Sequence, residues 1–468
     1  MQLHFTGHLV IILHMKIAFH TLGCKVNQYE TEAMAEIFKS HGHEIVGEED
    51  FADVYVVNTC TVTAMADKKS RQFIRRMKKK NPDSIIAVTG CYVQIDPEAV
   101  EAIEGVDIIT GINEKGSLPG YVEDLIERRE DAKATEKHIL DYDDLGSYED
   151  LGTVTSAEGR TRAYIKIEDG CNRFCAYCVI PYARGAVRSR PLEEIVEEAG
   201  SLIASGYKEI VLTGINTALY GHDGADGDGG IEPVIAALND LEGDFRIRLS
   251  SLEPTVVDAD YVKGLLKYEK LCHHLHLSAQ SGSDRILKAM NRRYSRSEYE
   301  DIVRVLREFD PCYGISTDII VGFPEETEDD FEESMSLVRD ALFCRTHVFK
   351  YSRRPKTRAA EIKDQVPAQI KNDRSDTLQA CGNETARRFF EMNSGQTRRV
   401  LIEEYLEEEG LFCGYTDNYI RVYIRTETQV EGGGQGPSSL LNAMVPVLLD
   451  GPYRDGMLGK VAFAPDLF

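Results

Sequence analysis

Three cysteines in the stretch CNRFCAYCVIPYARG, namely Cys171, Cys175 and Cys178, stand at a Cys-x3-Cys-x2-Cys spacing. Thiolates on one short loop can wrap a cubane [4Fe-4S] cluster, but three of them ligate only three of its four irons. The fourth iron is left open to a small molecule. The competing use of such a loop is a structural zinc knot. Zinc takes four closed ligands, usually as two Cys-x2-Cys pairs, and the chain contains no second pair of that spacing. The spacing therefore favours an iron–sulfur cluster with one exchangeable position.

Three further cysteines share repeated surroundings: Cys24 in TLGCKVNQYET, Cys60 in VVNTCTVT and Cys91 in AVTGCYVQ. Each follows a short apolar stretch that reads as a strand, at the connection to a helix. In open α/β sheets the carboxyl ends of the strands converge on one crevice, so residues distant in sequence meet there. The set reads as a second three-thiolate cluster with an open iron, although any one of the three alone would ordinarily be a buried thiol. The solitary Cys272, Cys312, Cys344, Cys381 and Cys413 read as core thiols without a role. A third feature is the run KKSRQFIRRMKKK from Lys68 to Lys80, with eight positive residues and no acidic one. Such a run is usually a solvated helix face, but against an acidic chain it stands out as a candidate phosphate-binding surface, ending in Lys78, Lys79 and Lys80.

The elements needed to hold these residues form an α/β multidomain chain. Over residues 15–126, strands at Lys16–His20, Val54–Val57, Ile85–Val88 and Val106–Ile109 alternate with helical stretches, which predicts an N-terminal α/β domain with a mainly parallel sheet. Residues 127–159, including ERREDAKATEK and DYDDLGSYED, are polar and acidic and read as a linker. Over residues 160–393, six strand stretches (RAYIKIE, EIVLTG, RIRLSSLEP, HLHLSAQSG, GISTDIIVGFP and HVFKYS) interleave with helices, which predicts a central partial (β/α)6 barrel. The cysteine loop follows the first of these strands. Over residues 394–468 the pattern turns to β-type alternation broken by turns such as GGGQGP, which predicts a small antiparallel β-barrel of OB-like kind. There GYTDNYIRV gathers Tyr415, Tyr419 and Arg421, either as a surface that stacks on RNA or as filling for the barrel core.

A chain of 468 residues with 42% hydrophobic content is ordinary for a protein of several domains with real cores. Its formal net charge of -24 argues against a broad, non-specific nucleic-acid binder and leaves room for a local basic face. The odd cysteine count and the lack of a secretory pattern argue against a disulfide framework and for a reducing, cytoplasmic setting. The apolar run in residues 1–14 is too short to span a bilayer, and since the first strand follows Met15, those residues read as an extension before the biological start.

The chain resembles the MiaB family of radical S-adenosylmethionine (SAM) methylthiotransferases, most closely its MtaB-type branch. The resemblance runs from about Lys16 to Ala464 and rests on TLGCKVNQYETEA, VVNTCTVT, TGCYVQ, EDGCNRFCAYCVIPYARG, QSGSDRILKAMNRRY, TDIIVGFPEETEDDF and YSRRPKTRAA. It implies that Cys24, Cys60 and Cys91 ligate an auxiliary [4Fe-4S] cluster and that Cys171, Cys175 and Cys178 ligate the cluster that binds SAM. No catalytic residue is implied beyond these ligands. Tyr177 matches the family's aromatic before the third cysteine. Gly214, Ser250, Gln280 and Asp318 lie at strand ends, where they either contact SAM or substrate or simply cap helices. The last domain resembles the TRAM domain, an RNA-binding barrel, with the Lys68–Lys80 helix sharing its task.

The implied activity uses SAM twice, once to methylate a sulfur at the auxiliary cluster and once as the radical source that opens C2 of threonylcarbamoyladenosine at tRNA position 37. The implied partners are tRNA, a reductant protein and a sulfur donor, with no membrane. Two other readings share much of this pattern: an aspartate methylthiotransferase acting on ribosomal protein S12, and a non-catalytic iron–sulfur RNA-binding protein. Glu325 in GFPEET and Lys356 in RRPKTRAA stand where the family commonly has glycine, so those two turns are expected to need a backbone that these residues resist.

Overall fold

The computed structural model describes residues 14–61, 64–128, 134–154, 161–224, 229–425 and 440–462. All but the last residue of the 1–14 extension, and the GGGQGP turn, lie outside the described residues. Two compact units are present: residues 1–154 with Tyr182–Arg184, and residues 155–181 with 185–468.

In the first unit, strands β1 (Lys16–Thr21), β2 (Glu44–Val46), β3 (Val54–Thr59), β4 (Ile85–Gly90), β5 (Ile108–Thr110) and β6 (Glu136–His138) form one sheet in the order β2-β1-β3-β4-β5-β6. Every pairing is parallel. Parallel strands must be buried on both faces, so they read as continuous apolar runs, and VYVVNT and IIAVTG are buried throughout. Alternate residues feed two cores. Val54 and Val56 pack with Met34 and Phe38 of helix α1 (Lys25–Ser40), whereas Tyr55 and Val57 pack with Phe73, Ile74 and Met77 of helix α2 (Ala64–Lys80). The order reverses between β1 and β3, the kind of point at which doubly wound sheets open a ligand crevice. The described part of the stretch expected to be a linker contributes to the fold: it supplies β6, and Leu145, Leu151 and Val154 are buried. Its few apolar residues hid that role among the acidic ones.

In the second unit, β7 (Arg162–Lys166), β8 (Glu209–Thr213) and β9 (Arg246–Leu249) pair in parallel. Strands β10 (His274–Leu277), β11 (Gly314–Val321) and β12 (Arg345–Lys350) continue the same parallel run, with β9 joined to it through an Ile247–Leu271 bridge. Six strands with outer helices form the expected partial barrel. Beyond helix Ala368–Met392, strands β13 (Thr397–Leu406), β14 (Leu411–Thr416), β15 (Arg421–Arg425), β16 (Met444–Tyr453) and β17 (Gly456–Val461) close into a barrel in the order β13-β14-β15-β17-β16. The β15–β17 pairing is parallel and the others are antiparallel, so the closed barrel is not purely antiparallel.

The amino ends of the central strands rest on this small barrel. Glu209 takes ion pairs from Arg246 at 2.6 Å and Arg248 at 2.7 Å, and these arginines donate onward to the carbonyls of Tyr415, Thr416 and Asp417. Burial alone would raise the Glu209 carboxyl, but Arg248 and Arg246 hold it far below the usual carboxylate range. Tyr415 lies under the Arg162 guanidinium at 4.9 Å and stacks on Tyr419 at 5.2 Å, and Tyr419 stacks on His274 at 4.4 Å. Arg421 pairs with Glu404 and Asp455. Tyr415, Tyr419 and Arg421, expected either to stack on RNA or to fill the barrel core, are half-buried, with the two rings stacked on each other and the arginine paired with two carboxylates.

Glu325 and Lys356 take positive φ values of 66° and 68°. The left-handed backbone costs a residue with a Cβ about 1–2 kcal/mol, part of which glycine forfeits in unfolded-state entropy. Glu325→Gly and Lys356→Gly should each raise the melting temperature by roughly 1–3 °C, as read by differential scanning calorimetry. A fall in either variant would show that the side chain is worth more than the strain.

Candidate active site

The loop carrying Cys171, Cys175 and Cys178 begins after β7 and is tied to other segments of the second unit. Cys171 N donates to Gly185 O at 3.0 Å, Cys178 N to Cys175 O at 2.9 Å and Ala176 N to Met290 O at 2.8 Å. Asn291 Nδ2 donates to the carbonyls of Arg173 and Phe174 at 3.2 and 3.0 Å, fixing the middle of the loop. Burial pushes the Cys171 thiol well up and the Cys178 thiol to about 12, with neighbouring thiols adding to both shifts. Free thiolates would be costly there, whereas a bound metal deprotonates its thiols outright. The donor set thus fits a metal cluster and not a free nucleophile.

Around the loop stands a charged network that the sequence reading missed. Glu253, just past β9, accepts from Asn216 Nδ2 at 2.8 Å and pairs with Arg292 at 2.8 Å and Arg173 at 3.4 Å. Arg292 also donates to the Tyr177 hydroxyl at 2.8 Å, so the aromatic of the loop is oriented by a buried guanidinium. The only available signal was position: an acidic residue directly beyond a buried strand in SSLEP, and an arginine in the MNRRY turn.

Gly214 owes its identity to a neighbour, since a Cβ there would meet Glu168 Oε1 at 2.2 Å. That oxygen accepts from Asn216 N at 2.6 Å. Ser250 is buried, and its hydroxyl has no hydrogen-bond partner among the described residues, as does Asn216 Oδ1. Two unsatisfied buried polar atoms at neighbouring strand ends suit a polar ligand. Gln280 is buried at φ 64°, and its backbone bonds to Asp318 O at 2.7 Å. Burial tends to raise the Asp318 carboxyl, but its bonds to His276 and Ser278 hold it below the usual range. None of Gly214, Ser250, Gln280 and Asp318 caps a described helix.

In the first unit the register sets the cysteines abreast. Thr21 pairs with Asn58 and Thr59 pairs with Gly90, so Cys24, Cys60 and Cys91 leave the same edge of the sheet. Cys24 is the N-cap residue of α1, and Cys91 opens the short helix α3 (Cys91–Ile95). Asn27 ties them together: its Nδ2 donates to Leu22 O and Thr59 O, and its Oδ1 accepts from the Cys24 thiol at 3.6 Å. Gly90, at φ +100°, is required, because a Cβ would strike Thr59 O at 2.4 Å. Burial pushes the Cys91 thiol up, while Arg184 at 3.2 Å works in the opposite direction. Of the basic run, Lys78 donates to Ser84 O and Asp107, Lys80 bonds Glu49 O and Arg76 pairs with Glu49. Lys68, Lys69, Arg75 and Lys79 are exposed.

A partial barrel carrying a three-cysteine loop after its first strand, with a second three-cysteine site on a parallel sheet, defines a two-cluster radical SAM enzyme. The radical SAM superfamily model matches residues 165–338, and the model described as uncharacterized protein family UPF0004 matches residues 16–111. The chain is 40% identical to the threonylcarbamoyladenosine tRNA methylthiotransferase MtaB of Bacillus subtilis, over 95% of this chain and 96% of that protein. It is 35% identical to the tRNA-2-methylthio-N(6)-dimethylallyladenosine synthase of Clostridium novyi, over 84% and 86% of the two chains. The radical SAM methyltransferase TsrM of Kitasatospora setae, solved with cobalamin and a [4Fe-4S] cluster, shares the fold at TM-score 0.55 and 15% identity, over 74% of this chain and 77% of that one. The chain belongs to the MtaB group of radical SAM methylthiotransferases.

Anaerobically reconstituted protein should hold about eight irons, the content of two [4Fe-4S] clusters. Changing Cys171, Cys175 and Cys178 together to Ala should lower this to about four and abolish SAM cleavage, with iron analysis as the check. Unchanged iron content would remove the loop from cluster binding.

Proposed function

We propose that the protein transfers a methylthio group to C2 of N6-threonylcarbamoyladenosine at position 37 of tRNA. The observation that carries this is the 40% identity to a threonylcarbamoyladenosine tRNA methylthiotransferase across 95% of the chain. Cys171, Cys175 and Cys178 hold the SAM cluster, and Cys24, Cys60 and Cys91 hold the auxiliary cluster. When bound, the clusters and SAM supply one-electron reduction, sulfur and methyl, which side-chain acid–base chemistry cannot supply at an aromatic C–H bond. The chain's own residues position these groups. Glu253, Arg292 and Arg173 brace the cysteine loop, and Tyr177 is fixed against Arg292. Asn216 and Ser250 offer buried polar atoms to SAM. No helix among the described residues is long and apolar enough to cross a membrane; a cytoplasmic setting, a reductant protein and a sulfur donor complete the proposal.

The test is nucleoside mass spectrometry of threonylcarbamoylated tRNA after incubation with enzyme, SAM and reductant. The 2-methylthio product is expected. Its absence, with the modification appearing on ribosomal protein S12 instead, would overturn the substrate. Replacing Cys24, Cys60 and Cys91 with Ala should abolish product while reductive SAM cleavage stays measurable; product at the normal rate would refute the auxiliary site.

The exposed part of α2 is the phosphate-binding face in this reading. Replacing Lys68, Lys69, Arg75 and Lys79 with Ala should weaken tRNA binding and flatten its salt dependence by about 0.7–0.9 in log–log slope per lost phosphate contact. Lys78 and Lys80 are poorer probes, because both serve the fold. An unchanged slope in the quadruple variant would place the tRNA contact elsewhere.

A further inference from the structure

Arg184 lies six positions beyond Cys178 in the PYARG stretch, yet Tyr182–Arg184 belongs to the first compact unit. It is among the largest fully buried side chains of the protein. Its Nε donates to Cys91 Sγ at 3.2 Å, one terminal nitrogen donates to Glu30 Oε1 at 2.8 Å, and the other donates to Asn27 Oδ1 at 2.9 Å and Glu30 Oε2 at 3.2 Å. Glu30 is also fully buried and faces a second buried cation, Lys115, at 3.4 Å. Two buried cations therefore share one carboxylate beside Cys91.

We propose that Arg184 is a positioning residue for the auxiliary cluster: it holds the Cys91 sulfur in its ligating orientation and sets the potential of the cluster bound there. This rests on Cys24, Cys60 and Cys91 being the ligands of that cluster. Two buried cations at one carboxylate, with an N–H of one of them aimed at the Cys91 sulfur, suit a cluster that is anionic with three thiolates in both oxidation states. Hydrogen bonds to cluster sulfurs and local charge are what set such potentials, and both act here to favour the reduced form. The planar fork is what lets one side chain reach Cys91, Asn27 and Glu30 at once; a lysine keeps the charge but cannot span these partners.

The test uses full-length protein with Cys171, Cys175 and Cys178 changed to Ala, which holds only the auxiliary cluster. Arg184, Arg184→Lys and Arg184→Gln forms are compared by iron content and by potentiometric titration followed by electron paramagnetic resonance. The midpoint should move to more negative potential in both variants, further in Arg184→Gln, with altered g-values. A residue that merely braces the fold would lower the loaded fraction without moving either quantity, so an unchanged midpoint and line shape would overturn the proposal. A second measurement needs no substitution: protein grown with 15N-arginine should show a weak 15N coupling to the reduced cluster, and its absence would equally overturn it. If the parent with Arg184 intact holds no cluster, the ligand reading itself fails, and this inference falls with it.

Discussion

A parallel strand cannot turn straight back into its neighbour; its chain must cross over the sheet before the next strand begins. Every carboxyl end in a parallel sheet therefore opens on the same edge. Both cysteine sets use this constraint. In the first unit it brings Cys24, Cys60 and Cys91 to one edge from β1, β3 and β4, with the Thr21–Asn58 and Thr59–Gly90 pairings setting the alignment. In the second it places the cysteine loop after β7 and surrounds it with Asn216, Ser250 and Glu253, which follow β8 and β9.

The opposite ends of the central strands carry a different load. Arg162, Arg246, Arg248 and Glu209 meet the turn at Thr416–Tyr419 in a buried layer of ion pairs, carbonyl contacts and stacked rings. Removing a single member of such a layer leaves a buried charge unmatched, so it demands a single docking of the small barrel. Polar groups at the amino ends thus fix the architecture, while those at the carboxyl ends remain open to chemistry. Ser250 and Asn216 keep unsatisfied atoms there.

The grouping of the cysteines into two sets, the parallel sheet and the six-stranded barrel were legible because each has a local signature: spacing, continuous apolar runs, and strand–helix alternation. What was not legible was relational. Arg184, Glu30 and Lys115 look like surface charges in PYARG, QYETEA and NEKGS, and only the fold buries them together. Tyr415 and Tyr419 show the reverse case. Aromatics beside arginine read as an RNA surface or as barrel filling, and the arginine above Tyr415 is Arg162, distant in sequence, a contact that no local pattern announces. The β6 strand was hidden because three residues, EKH, carry no apolar pattern.

In the proposed function each cysteine set binds three irons of a cluster and leaves one open, and SAM binds at only one of the two open irons. Mössbauer spectroscopy of 57Fe-loaded protein with and without SAM addresses it directly. In protein carrying no added sulfur at the first-unit cluster, and so no methyl acceptor there, SAM should change the spectrum of about one iron in eight, the open iron of the Cys171–Cys175–Cys178 cluster, and leave the cluster of the first unit unaltered. A spectrum insensitive to SAM, or one in which every iron carries a cysteine ligand, would contradict it.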